Sequence, residues 1–299
     1  MFTHLKSNQV LQGVIIMIMA CFCFALLNCA IRNVSYKFNP YVMASYRSMF
    51  CIMLVAPFVL YVNKRQRADK FSKLNFFKGT IDLISLPIWT MAISNMKIAH
   101  AVAISFTTPL ISAVLAIIFL KDYLSRSKWA ALMVGFTGAY IAVDPSASGD
   151  FNMYALYVLG VCALWATANV MTKSLATDKQ HPVYIVLYSN IVIFCLSLPF
   201  LFESGRMLTF SEILDYIFLS GLACVGHFCL AWSYTKTKMS NLLPLDYTRL
   251  LFATMFGITI YGESVHLNTL IGTAIILACS IYIAKKSGTN NDPKTLRST

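Results

Sequence analysis

The sequence predicts an all-α integral membrane protein whose ten transmembrane helices form two inverted five-helix repeats. Three observations lead to this prediction: the composition, ten long apolar runs, and a self-similarity of the chain at one fixed offset. The 299 residues are 58% hydrophobic and only 12% charged, whereas a soluble domain carries about 25% charged residues. A mean hydropathy of +0.67 agrees with a chain whose solvent is lipid.

The ten apolar runs are each close to the length that crosses a bilayer as a helix, about 20 residues. The predicted spans are residues 10–31, 40–62, 79–95, 99–120, 128–143, 153–172, 182–202, 213–235, 241–261 and 267–284.

Four of these spans need a separate argument. The first is too long for the apolar region of a signal peptide, so we expect it to remain in the mature protein. The third and fourth are separated only by residues 96–98, but one continuous helix would exceed 40 residues, so two helices with a tight turn are predicted. In the fifth span, Ala131, Gly135 and Ala139 recur every four residues and predict a close helix contact.

Basic residues predict the orientation. Of the 24 lysines and arginines, 18 fall in segments on one side of the predicted membrane and four on the other. By the positive-inside rule, both termini lie in the cytoplasm and the protein resides in the inner (cytoplasmic) membrane. The basic cluster at residues 64–78 is interpreted as a topological signal that contacts the head groups of the lipid bilayer, which makes nucleic acid an unexpected partner despite a net charge of +12.

The two halves of the chain resemble each other at an offset of 141 residues. Aligned pairs include Cys21 with Cys162, Phe24 with Trp165, Asn28 with Asn169, and Asp122 with Glu263. We predict a first repeat at 1–144, a second at 150–286, and a polar cytoplasmic tail at 287–299. Because each repeat has an odd number of spans, the second enters the membrane from the opposite side. Folds of this kind bind solutes near the midplane between the repeats, which favours a carrier.

Two stretches carry a resemblance to a known family. AVAISFTTP at 101–109 and LPLDYTRL at 243–250 resemble the fourth and ninth spans of EamA-type carriers in the drug/metabolite transporter superfamily. The resemblance implies a ten-span, two-repeat fold that moves small metabolites, such as amino acids, their analogues or S-adenosylmethionine. The chain departs from the usual pattern at Asp122, where Glu is common, and at Leu250, where many second repeats have Pro.

Apart from Lys128, which is the first residue of the fifth span and is counted with the segment before it, Arg47 and Arg249 are the only lysines or arginines within predicted spans. An arginine at mid-membrane costs about 2.5–3.5 kcal/mol on insertion scales, so both should face the interior of the bundle. Arg249 lies near the midplane, three residues after Asp246 and on the same helix face. The two form either an internal ion pair or a substrate site in which Arg249 binds a carboxylate. Arg47, in the outer third, either extends outward or joins an extracellular gate.

Other candidates have both a structural and a functional interpretation. Trp89 and Tyr247 are predicted to line a cavity for an organic solute, whereas an interfacial position is favoured for Trp165. His227 is a candidate proton relay, with a hydrogen-bonded histidine inside the bundle as the simpler interpretation. Asp82 is expected to be a cap or an interfacial charge.

Polar groups inside apolar helices complete the set. Asn28 and Asn169 are expected to form interhelical hydrogen bonds or to close the two gates. Pro109 either opens a polar notch or kinks its helix, and Asp122 either caps its span or contacts a gate. All nine cysteines are expected to be buried thiols that form no disulfide or metal site.

These features predict a secondary transporter that moves a small organic metabolite, amino-acid-like, zwitterionic or S-adenosylmethionine-like, across the cytoplasmic membrane by alternating access. Its partners would be that metabolite, the bilayer, and a coupling proton or an exchanged solute. No Walker A, HExxH or GxSxG motif is present, so neither an enzyme nor a cofactor is expected. The alternative is an intramembrane receptor or regulatory protein, or a lipid-handling protein, without solute transport.

Overall fold

The computed structural model describes residues 2–34, 39–65, 70–95, 104–122, 124–143, 153–205 and 208–261, together with residues 268, 271–272, 274–278 and 282. All regular elements of the described residues are helical. They are α1 Phe2–Val34, α2 Pro40–Arg65, α3 Lys73–Asn95, α4 Thr108–Leu120, α5 Arg126–Val143, α6 Met153–Thr177, α7 Pro182–Ser204, α8 Phe210–Lys236, α9 Met239–Leu242, a 3₁₀ turn Leu243–Tyr247, and α10 Thr248–Tyr261.

The all-α membrane fold predicted from the sequence is confirmed. Five of the described helices contain a segment that is long and apolar enough to cross a membrane: Gln9–Ile31, Pro40–Val62, Met153–Thr177, Pro182–Ser204 and Phe210–Lys236. The chain is therefore a multi-pass membrane protein. The helices α1 to α8 correspond to the first eight predicted spans, and α9, the 3₁₀ turn and α10 together form the ninth. The described residues within the predicted tenth span are helical.

The fourth and ninth spans are both interrupted, at positions related by the repeat offset. In the ninth span the α-helix gives way to the 3₁₀ turn around Pro244. In the fourth, Phe106 and Thr107 form a turn before α4 begins. The expectation that Pro109 lies inside a helix is therefore wrong: it belongs to the first turn of α4, where its missing N–H removes no helical hydrogen bond.

Contacts between the halves follow the symmetry of the repeats. The repeat makes α1 equivalent to α6, α2 to α7, and α3 to α8. The contact between α1 and α8 should therefore have a counterpart between α6 and α3. Both contacts are extensive. Individual hydrogen bonds repeat as well. The Cys21 thiol donates to the Leu245 carbonyl, and the Cys162 thiol donates to the Ile104 carbonyl, so both partners are offset by 141 residues. The two-repeat architecture is thus present at the level of single contacts.

The small residues of α5 receive the broken ninth span. Tyr247 is fully buried and its ring lies directly over Gly135, where an added Cβ would be 2.5 Å from Tyr247 Cδ2. Ala131 and Ala139 are buried in the same helix. The close helix contact predicted from the small-residue stripe is present.

We expect Gly135→Ala to destabilise the protein, because the added methyl group overlaps a fully buried ring that has no free space around it. Overpacking of this kind costs about 1–3 kcal/mol. Gly160→Ala is the matched control, since a Cβ at that helical position meets no atom within 4 Å. Thermal unfolding of the purified variants measures the difference, and equal melting temperatures would contradict tight packing at Gly135.

The prediction that no cysteine forms a disulfide is wrong. Cys51 and Cys224 form a disulfide between α2 and α8, with their Cα atoms 6.0 Å apart. The sequence places the two residues in separate halves and gives no sign that they face each other. Among the described residues, Cys21, Cys23, Cys162 and Cys229 are buried free thiols, as expected. Cys195 is exposed and Cys29 is only partly buried, so the expectation of burial is wrong for these two.

Candidate functional site

A cavity lined by apolar, polar and charged side chains lies between the two repeats. Its described lining comes from α1, α2, α3, α6, α7 and α8 and from the interruptions of the fourth and ninth spans, and its volume is about 150 Å³. A single water needs about 10–15 Å³ of such volume. The cavity is therefore large enough for on the order of ten waters or for a small polar organic group.

The interruption of the ninth span places an ion pair at this cavity. Asp246 lies in the 3₁₀ turn and Arg249 in the first turn of α10. Arg249 Nη2 donates to Asp246 Oδ1 over 2.7 Å, and the two side chains are 26% and 15% exposed. The pair expected from the three-residue spacing is present, and both partners line the cavity. Because neither is fully enclosed, their outer faces remain accessible to a solute.

A second charged group, which we name the α2–α3 ionic cluster, consists of Arg47, Lys78 and Asp82. Lys78 Nζ donates to Asp82 Oδ2 over 2.6 Å, and the Asp82 carboxylate also lies within electrostatic range of Arg47. All three residues line the cavity. Arg47 and Lys78 are only 7% and 5% exposed, so the cluster is more deeply buried than the pair on the ninth span.

This cluster corrects several expectations. Lys78 belongs to the basic cluster at residues 64–78, which the sequence assigns to a cytoplasmic segment. In the structure it lies inside α3 and lines the cavity. Asp82 lies inside α3 and pairs with Lys78, so it does not cap the helix. Arg47 neither reaches outward nor faces lipid. The spacing of four residues between Lys78 and Asp82 puts them on one face of α3 and was the signal available in the sequence.

Phe24 connects the two charged groups. The Arg249 guanidinium carbon lies 5.0 Å from the centroid of the Phe24 ring, and the His227 ring lies 5.0 Å away in an edge-on arrangement. His227 is in turn within electrostatic range of Lys78, Asp82 and Arg47. Because the Ala223 carbonyl lies 2.8 Å from His227 Nδ1 and can only accept, this nitrogen carries a proton. The other ring nitrogen is the one available for a relay.

Two tryptophans form an aromatic wall. The rings of Trp89 and Trp165 lie 5.0 Å apart, and both residues line the cavity. Trp165 Nε1 donates to Ser85 Oγ over 3.1 Å, which fixes its orientation. The interfacial position expected for Trp165 is therefore wrong, and the repeat offset explains why: Trp165 is equivalent to Phe24 of the first half.

Asn28 and Asn169 line the cavity at equivalent positions, so their symmetry is preserved at the site. The charges do not follow this symmetry. Asp246 and Arg249 are equivalent to Ser105 and Thr108, which also line the cavity but are neutral. The positions equivalent to Arg47, Lys78 and Asp82 are Tyr188, Leu219 and Ala223. The two repeats thus build one cavity, and each adds its own charged group.

Tyr247 does not belong to this lining. Although it follows Asp246 directly, its side chain is buried against Gly135 and against the Phe106 ring, 5.8 Å away. Successive residues of a 3₁₀ turn point in directions about 120° apart, so Tyr247 faces the core although its neighbour Asp246 faces the cavity.

Polar contacts connect the helix ends at one end of the bundle, some of them between the two halves. Lys121, with a φ of 52°, ends α4 in the left-handed conformation and directs Asp122 toward the second half. The Asp122 carboxylate accepts from the Ser240 N–H over 3.0 Å and from its hydroxyl over 3.1 Å. Lys128 Nζ also donates to Ser240 Oγ over 3.1 Å. On the same side, Lys173 donates to the carbonyls of Tyr234 and Thr237 at the end of α8.

Many transporters hold their substrate site in a cavity of this kind between two repeats. Comparison with known proteins gives the same class. The chain belongs to the EamA-like transporter family, which matches it at residues 11–143 and 152–284. The resemblance to EamA-type carriers of the drug/metabolite transporter superfamily is therefore confirmed, and the protein is a small-metabolite transporter.

Individual relatives span nearly the whole chain. An S-adenosylmethionine uptake transporter of Rickettsia bellii is 24% identical over 267 residues, which cover 88% of this chain and 91% of the relative. A riboflavin transporter of Brucella anthropi is 24% identical over 283 residues, covering 92% and 99%. A protein of known crystal structure, 14% identical, superposes with a TM-score of 0.77 and covers 96% of this chain and 99% of its own, which shows a shared fold.

Proposed function

We propose that the protein carries a zwitterionic, amino-acid-like metabolite across the cytoplasmic membrane by alternating access, with Asp246 and Arg249 as the principal binding residues. The observation that carries this proposal is the ion pair at an interrupted helix that faces a cavity between the repeats. A zwitterion supplies a carboxylate for the Arg249 guanidinium and an amine for the Asp246 carboxylate. It can therefore replace the pair's mutual contact without leaving a charge unpaired.

Other cavity residues have supporting roles in this proposal. Trp89 packs against the apolar part of the solute, and Arg47 adds a positive charge to the same cavity. Asn28 and Asn169 contact the solute or the gates from equivalent positions, and His227 is the group through which a proton would couple to transport. The two named relatives transport S-adenosylmethionine and riboflavin, which are small organic metabolites. We assign a transport role to the protein rather than a catalytic one.

The moving units in this proposal are the two halves, residues 1–144 and 150–286. Their rocking opens the cavity first to one side and then to the other. The contact between Asp122 and Ser240 closes one end in the described conformation and has to break when that end opens.

Transport by purified protein in liposomes tests the function. We expect at least one labelled solute from a panel of amino acids, nucleosides, S-adenosylmethionine and riboflavin to accumulate in protein-containing vesicles and to exchange with unlabelled solute. If no solute of the panel crosses or exchanges, the carrier proposal is wrong. Movement of fluorescent phospholipid between leaflets would indicate a lipid-handling protein.

We further propose that both termini lie in the cytoplasm. Three exposed positions test this orientation: Lys70→Cys and Asp178→Cys are expected to react with an impermeant maleimide only from the cytoplasmic side, and Glu203→Cys only from the outside. Wild-type protein reports the background of native cysteines. Labelling of positions 70 and 178 from opposite sides would contradict the predicted topology.

A further inference from the structure

The charges at the cavity do not balance among the residues that the structure describes. The lining contains three cations, Arg47, Lys78 and Arg249, but only two acidic residues, Asp82 and Asp246. Asp246 is neutralised by Arg249. Asp82 is shared between Lys78, its direct partner, and Arg47. One positive charge of the α2–α3 ionic cluster therefore has no counter-charge within the described lining.

The Arg47 side chain carries the features of a ligand-binding group. It is 7% exposed and lines the cavity, yet its buried Nε has no hydrogen-bond partner among the described residues. The backbone that holds it is fixed, because the Ser220 hydroxyl of α8 donates to the Arg47 carbonyl over 2.9 Å. A buried guanidinium and an ammonium group that line the same cavity are suited to a carboxylate or a phosphate, each of which accepts several charged hydrogen bonds.

We infer that Arg47 and Lys78 form a second subsite that binds an anionic carboxylate or phosphate group of the transported metabolite. The protein then prefers a metabolite with a net negative charge. This inference rests on the proposed function. Arg249 and His227 each lie 5.0 Å from the Phe24 ring centroid and are therefore at most twice that distance apart. His227 is within electrostatic range of Arg47, Lys78 and Asp82, and all of these residues line the same cavity. We therefore expect a single small metabolite to contact both charged groups, with its zwitterionic end at Asp246 and Arg249. A net cation such as S-adenosylmethionine would meet uncompensated like charge at Arg47.

Ligand pairs that differ only in the anionic group test the inference on the purified full-length protein. We measure stabilisation against heat by glutamate and glutamine, by a nucleoside 5′-phosphate and its nucleoside, and by inorganic phosphate, all at constant ionic strength. One charge-assisted contact corresponds to about tenfold or more in affinity. The wild type should therefore bind the acidic member of at least one pair at least about tenfold more tightly. The first pair reports a carboxylate and the second a phosphate.

Variants assign the preference to the cluster. Arg47→Gln should abolish it, Arg47→Lys should retain part of it, and Asp82→Asn should strengthen it, because that change removes a competing acid. Lys70→Gln, at an exposed position, is the control for a general loss of positive charge. If Arg47→Gln fails to fold, Lys78→Gln and Asp82→Asn still decide the matter, since they are expected to change the preference in opposite directions.

The outcomes separate the subsite from the transport proposal. Equal binding of acidic and neutral members, an acid preference that survives in Arg47→Gln or Lys78→Gln, or no Arg47-dependent stabilisation by any acidic ligand or phosphate would overturn the subsite. Flux of a neutral or cationic solute that is insensitive to Arg47→Gln would leave the carrier intact and remove the subsite. Conversely, Arg47-dependent binding without any flux into liposomes would retain the subsite and remove the proposed transport.

Discussion

Arg249→Ala is expected to reduce solute flux by about 10- to 150-fold while the protein still inserts into the membrane and remains monodisperse. The lost contact is a hydrogen bond between charged groups, worth about 1.5–3 kcal/mol, which corresponds to this range of affinity. In addition, Asp246 would be left at the cavity without the partner that now lies 2.7 Å away. Counterflow in proteoliposomes measures the flux, and thermal unfolding measures the integrity of the fold.

Three controls separate substrate contact from a purely structural ion pair. Arg126→Ala removes an exposed arginine at the start of α5 and should leave flux unchanged. Arg249→Lys keeps the charge but loses the planar fork that matches a carboxylate, so intermediate flux is expected. Exchanging Asp246 and Arg249 keeps the pair with its partners reversed. Normal flux in Arg249→Ala, or in the exchanged variant, would remove Arg249 from the binding site.

The fold was largely predictable because its signals are local or repeat along the chain. The length of an apolar run depends only on consecutive residues, and the 141-residue offset requires only comparison of the chain with itself. The same offset also relates the interruptions of the fourth and ninth spans. Hydropathy alone did not locate these interruptions, since the 3₁₀ turn Leu243–Tyr247 is only five residues long and lies within one apolar run.

The site was predictable only where its geometry is set within one element. Asp246 and Arg249 meet because three residues separate them. Arg47 on α2 is within electrostatic range of Asp82 on α3. The spacing of residues within one helix cannot predict such an approach between two helices. Tyr247 shows the opposite error, because adjacency to Asp246 in sequence does not imply a shared direction.

Lys78 and Trp165 were misplaced although usable signals existed. Lys78 directly precedes an apolar run and so resembles a topological anchor, but its spacing of four from Asp82 indicates an internal pair. Trp165 shares its position in the repeat with Phe24, which faces the cavity from α1. The repeat symmetry therefore predicts cavity positions better than the depth of a residue in its span.

Asp122→Ala is expected to weaken closure at the end of the bundle where α4 meets α9. Its carboxylate accepts two hydrogen bonds from Ser240 and so connects the first half to the second. Hydrogen bonds to charged groups contribute about 1.5–3 kcal/mol each. Loss of even one therefore shifts the balance between closed and open conformations by about tenfold or more. Ligand binding should persist, because Asp122 is not part of the cavity lining, whereas the rate of flux should fall.

Accessibility of the cavity distinguishes a gate from a helix cap. In an Asn190→Cys background, which places a thiol at the cavity, Asp122→Ala should accelerate labelling from the side where Asp122 and Ser240 lie. Ser240→Ala removes the hydroxyl contact but keeps the N–H contact, so a smaller acceleration is expected. Asp178→Ala, at an exposed position, should have no effect. If Asp122→Ala lowered thermal stability but left the labelling rate and the flux at wild-type values, the contact would serve only to hold the helix ends together, because a gate cannot lose its closing interaction without exposing what it closes.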